Sequence, residues 1–222
     1  NISFTALAKF DINSRISLSN NDSGADNTVF GFLAGASLGS GHDRNVLIGD
    51  YAGTNVAADS NVLIGRACGD AITSGASNVA IGDSALGTAD TALQNIVIGG
   101  DAMSAVPASQ AVSSCIAIGV NAAKGSASTT TGIDGTVAVG YNALTALTTG
   151  AGNIGIGFEA GENLTTSAHN LAIGYQALEN ATTAANQNIA IGNFSMDGAW
   201  STADVDNCVA IGYQAMRGVL TN

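Results

Sequence analysis

The segment Asn78-Val-Ala-Ile-Gly82-Asp-Ser-Ala85 is one copy of a motif that recurs along the whole chain. Alignment on its central glycine gives eleven copies, at Gly31, Gly49, Gly65, Gly82, Gly99, Gly119, Gly140, Gly157, Gly174, Gly192 and Gly212. Successive glycines are 16 to 21 residues apart, and the longest intervals lie on either side of Gly119 and before Gly212. A short repeat of nearly constant period is typical of solenoid proteins. The repeat therefore decides the fold.

The residues before each glycine follow a two-residue alternation. One and three positions before the glycine the chain carries mostly Ile, Val or Leu, as at Ile81 and Val79. Residues two apart share one face of a β-strand, and β-branched side chains favour strands. The pattern predicts a short strand in each copy, with this aliphatic face directed into the core.

Three further positions in the repeat are restricted in size or polarity. The position between the two aliphatic ones is apolar and often small, as at Ala80, which predicts a second buried face that contacts another subunit. Three positions after the glycine stands Ala in nine copies. Seven positions after the glycine a further apolar column, broken at Ser126, predicts a second short strand that returns across the core.

Glycine and asparagine mark the turns of each copy. Glycine accepts positive φ and close backbone approach, and asparagine forms turns and stacked ladders. Eight copies begin with Asn; the others begin with Cys115, Thr136 and Cys208. A unit of about 18 residues with period-2 patterning is too short for a helix pair. The sequence predicts an all-β parallel β-solenoid (a β-roll) of about eleven coils over residues 27–222, after a lead-in segment 1–26.

Composition limits the possible partners. Only 10% of the 222 residues are charged, the net charge is −11, and no Lys or Arg lies between Lys124 and Arg217. Binding to phosphate backbones needs clustered cations, so we expect no nucleic-acid partner. No apolar run approaches the roughly 18 residues of a membrane span, so we expect no membrane insertion. An apolar, sparsely charged chain is instead expected to bury surface in an oligomer.

The repeats resemble a known group of surface proteins. Asn78-Val-Ala-Ile-Gly82-Asp-Ser-Ala85 and Asn170-Leu-Ala-Ile-Gly174-Tyr-Gln-Ala177 resemble the head repeats of YadA-type trimeric autotransporter adhesins and, more closely, the longer-period repeats of bacteriophage tail fibres. That resemblance implies a left-handed parallel β-roll assembled as a homotrimer. The long, variable period and the lack of a stretch resembling a membrane anchor or coiled-coil stalk favour the tail fibre.

The predicted function follows from this resemblance and from the repeat. We expect a structural and adhesive segment of a trimeric phage tail fibre, located in the virion, whose partners are a host cell-surface glycan or protein and other tail or fibre proteins. Loops between the motifs are the expected contact elements. Two alternatives stay open: a bacterial adhesin head at the cell surface, and a polysaccharide-degrading tailspike.

Candidate site residues are few. Immediately after the repeat glycine, the later copies carry aromatic residues that predict a stacked ladder or a receptor-contact stripe, namely Tyr141, Phe158, Tyr175 and Tyr213. The acids are scattered over loops, although carboxylates of adjacent coils or chains could meet. His42 and His169 lie about seven coils apart. We therefore predict no catalytic residues, no metal site and no cofactor, and a protein that is not an enzyme.

Overall fold

Eleven short strands form the described part of the chain. The structure is a computed structural model that describes residues 26–107, 110–126, 130–181, 185–198 and 206–218; the predicted lead-in segment, apart from its last residue, lies outside these ranges. The strands are β1 (Thr28–Phe30), β2 (Val46–Ile48), β3 (Val62–Ile64), β4 (Val79–Ile81), β5 (Ile96–Ile98), β6 (Ile116–Ile118), β7 (Val137–Val139), β8 (Ile154–Ile156), β9 (Leu171–Ile173), β10 (Ile189–Ile191) and β11 (Val209–Ile211).

All eleven strands belong to one parallel sheet in chain order, from β1 to β11. Every strand pairs with the next in the register of the repeat, so that Val79 pairs with Ile96, Ala80 with Val97 and Ile81 with Ile98. Each repeat therefore makes one turn of a solenoid, and equivalent residues stack on one another. The predicted parallel β-solenoid is confirmed, with about ten turns.

The direction of the strand side chains is opposite to the prediction. The middle residue of every strand from β2 to β11 is buried, and Leu63, Ala80 and Val97 are fully buried in the core. The first and third residues, such as Val79 and Ile81, are half-buried or exposed on the outer face. A coil this short encloses too little volume for two rows of large side chains, so the smaller residues point inward. The predicted aliphatic core and small-residue subunit contact are both wrong.

The apolar column seven positions after the glycine lies in the core, as predicted. Val56, Ile72, Leu147 and Leu164 are fully buried there. The second strand predicted at this column does not form: the described residues contain one three-residue strand per coil, supplemented only by isolated bridges at Leu93 with Ser113 and at Thr131 with Thr149. Turns complete each coil because a coil this short reverses direction every few residues.

The repeat glycine occupies a turn that only glycine can form. At Gly82 φ is +142°, and a Cβ built there would lie 2.6 Å from the carbonyl oxygen of Gly99 in the next coil. The same close approach of successive coils recurs along the stack. Two and four positions later the backbone is left-handed again, as at Ser84 (φ 55°) and Leu86 (φ 54°). These conformations wrap the chain around its narrow core.

Two positions of the repeat share the core volume, the middle strand residue and the residue four positions after the glycine. In the coil of β3 the strand contributes Leu63, and the position four after the glycine is Gly69. In the coil of β4 these positions hold Ala80 and Leu86. All three side chains are fully buried. A large residue from one column is thus accommodated by a small one from the other, which keeps the interior close-packed.

Buried asparagines connect the coils on one side of the sheet. Asn78 Oδ1 accepts hydrogen bonds from the backbone N–H of Asn95 (3.1 Å) and from its Nδ2 (3.0 Å). Asn78 Nδ2 donates to the carbonyl of Ala92 (2.7 Å). The amide therefore satisfies buried backbone groups of two neighbouring coils, and the predicted asparagine ladder is present. We call the row Asn27, Asn45, Asn61, Asn78, Asn95, Asn153, Asn170 and Asn188 the asparagine ladder.

Candidate interaction surface

The outer face of the sheet is a continuous aliphatic surface. It consists of the first and third residues of every strand, and among them only Thr28 is polar. Ile96 is 40% exposed, and Ile118 and Ile156 are each 37% exposed. Because parallel pairing satisfies the strand backbone, the surface presents hydrocarbon alone. We call it the aliphatic face.

Such a surface is unusual on an isolated soluble chain. Single exposed apolar residues are common, but a contiguous apolar patch marks an interaction site. The aliphatic face carries no Lys, Arg, Asp or Glu in any of the eleven strands. Equivalent residues of successive strands repeat along this face at the spacing of a parallel sheet, about 4.8 Å. A partner surface with the same spacing would fit this face along its whole length.

An aromatic ladder lies beside the aliphatic face in the C-terminal half of the chain. Ring centroids are 5.2 Å apart between Tyr141 and Phe158 and 5.1 Å apart between Phe158 and Tyr175, and both pairs are stacked. Phe194 continues the row by edge contacts with Tyr175 (5.3 Å) and Tyr213 (6.2 Å). The four predicted aromatic residues therefore belong to one row.

The stacking decides which parts of these rings can bind a partner. Phe158 has Tyr141 on one face and Tyr175 on the other, with interplanar angles of 15° and 5°. Its faces are therefore closed to a sugar ring, whereas its edge remains 40% exposed. Tyr213, at the end of the row, is 70% exposed. In its stacked part, the aromatic ladder therefore offers edges and hydroxyl groups to a partner rather than open ring faces.

Phe194 was not predicted from the sequence because it stands one position later in its copy, after Asn193. Its ring nevertheless reaches the row. Arg217 lies over this ring, with its guanidinium carbon 5.1 Å from the ring centroid, and its Nε contacts Asp197 Oδ2 at 3.4 Å. Asp197 and Arg217 each stand five positions after their repeat glycine, which was the available signal for this contact, since residues one coil apart are neighbours.

The basic residues of the described chain are engaged by acids of neighbouring coils. The ion pairs are Arg44 with Asp59, Arg66 with Asp83, Lys124 with Asp101 and Arg217 with Asp197. Most of these side chains are exposed, so each pair contributes little to stability. Their effect is to distribute charge evenly, and the described ranges contain no cluster of unpaired cations.

Three carboxylates meet where the coils of β8 and β9 adjoin. Oxygen atoms of Glu159, Glu162 and Glu179 lie within 4.8 Å of one another. Asn142 Nδ2 donates to Glu162 Oε1 (2.9 Å), and Gln176 Nε2 donates to Glu159 Oε2 (2.7 Å). The sequence left open a meeting of carboxylates from adjacent coils, without naming residues. The interval of one repeat from Glu162 to Glu179 was the signal.

The environment of this cluster opposes its ionisation. Burial raises the pKa of Glu162, and the charge of Glu159 raises it further, against the hydrogen bond from Asn142. Burial also raises the pKa of Glu179, with additional repulsion from Asp197, Glu159 and Glu162. Carboxylate oxygens are the ligands that hard divalent cations prefer. Among the described residues, these three side chains are the group whose oxygen atoms lie close enough together to hold such an ion. The absence of a metal remains a prediction.

Comparisons with known protein families, curated proteins and solved structures find no match to this chain. No helix in the described ranges has the length and apolarity needed to cross a bilayer.

Proposed function

We propose that this chain is a structural and adhesive segment of a trimeric bacteriophage tail fibre. The aliphatic face carries this proposal, because a sheet face on which every residue but Thr28 is apolar needs a cover. A second and third copy provide a cover with the same rung spacing. Three solenoids packed around a common axis bury the faces of all three chains.

The proposed assembly has a mechanical consequence. Each coil is fixed to the next by strand pairing, and most coils also by asparagine hydrogen bonds and stacked side chains, so a single solenoid already forms a continuous column. Packing three columns on their apolar faces adds stiffness without added length. A stiff rod holds its outward loops away from the particle, in a position to contact a host surface.

Adhesion in this proposal depends on avidity. Three identical chains present the same loops and the same aromatic edges, so weak contacts with a surface glycan or protein add through effective concentration. The loops between the motifs and the aromatic ladder are the proposed contact elements. Tyr213, at the end of the aromatic ladder, is the most exposed residue of that ladder.

Light scattering tests the assembly. We expect a mass three times 21.8 kDa, and the double variant Ile81→Lys/Ile98→Lys to be monomeric because it places charges on the aliphatic face. Ser74→Lys, on an exposed turn, is the matched control and should remain trimeric. Circular dichroism establishes that the variants keep the β fold. A folded wild-type chain with the single-chain mass of 21.8 kDa would refute the trimer.

Adhesion is tested on immobilised bacterial surface polysaccharides and outer-membrane proteins. We expect the wild type to bind at least one of them, and the Ile81→Lys/Ile98→Lys variant to bind roughly 100-fold more weakly through loss of avidity. Antibodies against the chain should label the tail fibres of intact particles. Absence of binding across the panel would refute the adhesive role.

One observation favours a second function, polysaccharide cleavage. Carboxylate oxygens of Glu159, Glu162 and Glu179 lie within 4.8 Å of one another, somewhat closer than the pair of carboxyl groups about 5–5.5 Å apart in retaining glycosidases, and a raised pKa suits the proton donor of such a pair. A fall in the viscosity of a polysaccharide that the chain binds, abolished in Glu162→Gln, would support cleavage. Binding with constant viscosity would leave adhesion as the function.

A further inference from the structure

The asparagine ladder is interrupted near its middle. From Asn27 to Asn95 each step is bridged by a side-chain oxygen, and the last of these bonds runs from the backbone N–H of Cys115 to Asn95 Oδ1 (2.9 Å). A second run begins at Asn153 and ends at Cys208, whose N–H donates to Asn188 Oδ1 (2.9 Å). The described chain has no such side-chain bond between these two runs.

The two substituting residues cannot continue the ladder. The Cys115 thiol donates instead to the carbonyl of Ile133 (3.2 Å). The backbone N–H of Thr136 bonds locally to that same carbonyl (3.3 Å). Thr136 is fully buried, and its Oγ1 has no hydrogen-bond partner. A buried hydroxyl without a partner costs about 1–3 kcal/mol, so Thr136 adds a penalty at the level where the ladder is interrupted; Asp90 Oδ1 is the other such buried atom of the described residues.

The core is also weakest at this level. In the coil of β6 the strand contributes Ala117, the position four after the glycine is Ala123, and the seventh position is Ser126. Elsewhere at least one of these columns holds a larger apolar side chain in nearly every coil. Ile133, from the loop before β7, fills part of the space and is fully buried. Loops supply this packing, because the two repeats that meet at this level are among the three longest of the chain.

We propose that the solenoid consists of two cooperative stacks of coils, one containing β1 to β5 and the other β8 to β11, joined at a weak coil at β6 and β7 that opens before either stack. Repeat proteins behave as one-dimensional arrays whose stability is the sum of units and of contacts between neighbours. A unit with fewer core contacts and an unpaired buried hydroxyl is the point at which such an array separates. The backbone bonds between β6 and β7 persist, so the junction holds the two stacks in register while closed.

Hydrogen–deuterium exchange on the intact chain tests the weak coil. We expect amides of β6 and β7 to exchange about tenfold faster or more than those of β3, β4, β8 and β9, since exchange follows the free energy of local opening. The double variant Cys115→Asn/Thr136→Asn should join the two ladder runs and slow exchange at β6 and β7. The strands near the two ends, which fray, are excluded from the comparison.

A reverse variant provides the control. Asn78→Thr copies the interruption into the N-terminal stack and should create a new fast-exchanging level at β4 while leaving β9 unchanged. If β6 and β7 exchange as slowly as β4, or if Cys115→Asn/Thr136→Asn folds normally and does not alter their exchange, the proposal is wrong. The test is independent of the trimer and of host binding, because it compares coils within one chain.

Discussion

Leu63 and Gly69 share the interior of one coil so closely that a Cβ on Gly69 would lie 2.9 Å from both δ-carbons of Leu63. In the next coil the same two positions hold Ala80 and Leu86. In these two coils the core therefore specifies a sum of volumes rather than a residue at either position. This relationship can be tested by exchanging the side chains at the two positions.

Exchange of the two volumes should restore packing. Leu63→Ala alone is expected to cost about 2–5 kcal/mol through a cavity, and Gly69→Leu alone about 1–3 kcal/mol through overpacking. The double variant recreates the coil of β4, so its cost should fall below the sum of the single costs by about 1–3 kcal/mol. Denaturant unfolding measures all three. Strict additivity would contradict the shared interior.

The repeat glycines should tolerate no side chain. Gly82→Ala places a methyl group 2.6 Å from the Gly99 carbonyl oxygen, and we expect a loss of about 3 kcal/mol or more. Gly132→Ala is the control, because Gly132 has a left-handed φ of +61° but nothing within 4 Å of its added Cβ. That variant should lose only about 1–2 kcal/mol from backbone strain. Denaturant unfolding gives both values, and equal losses would show that strain, not contact, requires glycine.

Low pH should remove the destabilising effect of the carboxylate cluster on the folded chain. The pKa values of Glu162 and Glu179 are raised on folding above their ordinary value of 4.5. The folded chain therefore binds these protons more tightly than the unfolded chain, and their contribution to stability falls as the pH rises from 4.5 through the raised values. Glu179→Gln should stabilise the chain at pH 7 by up to about 0.5 kcal/mol and have no effect at pH 4.

The control for this prediction is Asp50→Asn, which removes one charge from an exposed side chain outside the cluster. Urea unfolding at both pH values gives the comparison. If Asp50→Asn stabilises the chain as much as Glu179→Gln does, the effect comes from net charge. Calcium should mimic Glu179→Gln only if the three carboxylates bind it.

Two of the three thiols should be unreactive in the folded chain. Burial raises the pKa of Cys68 to about 12 and that of Cys115 to about 11, so both are neutral at pH 8, and the thiolate is the reactive form. Cys208 is only partly buried. A thiol reagent at pH 8 should modify one cysteine before unfolding and three after it. Rapid reaction of Cys115 would instead indicate opening of the weak coil.

The sequence predicted the periodic features of the fold because they are local. Strand positions, the turn at each glycine and the asparagine row follow from spacing alone, and the structure places them as expected. Which face of each strand lies in the core was predicted wrongly, because an alternating pattern separates two faces without indicating which one is buried. Ala80 lies in the core and Ile81 on the outer face, the reverse of the prediction, because the interior is narrow and the smaller side chain fits it.

The candidate site was predicted in part for a related reason. Tyr141, Phe158 and Tyr175 occupy one position of successive copies, so their stacking could be expected. Phe194 and the Glu159, Glu162 and Glu179 cluster depend on neighbouring positions of different coils. Contacts between different positions of successive coils, such as Phe194 with Tyr175 and Glu159 with Glu179, are not contained in a column alignment.

Residue-for-residue pairing of equivalent three-residue strands also bears on how such a chain changes length. Because every strand pairs only with the strand before and the strand after it, duplication of one repeat would add a single rung of about 4.8 Å and leave the remaining contacts intact. Rod length is thereby encoded as a count of copies. Unequal recombination within the gene could lengthen or shorten the rod stepwise, and each product would still fold.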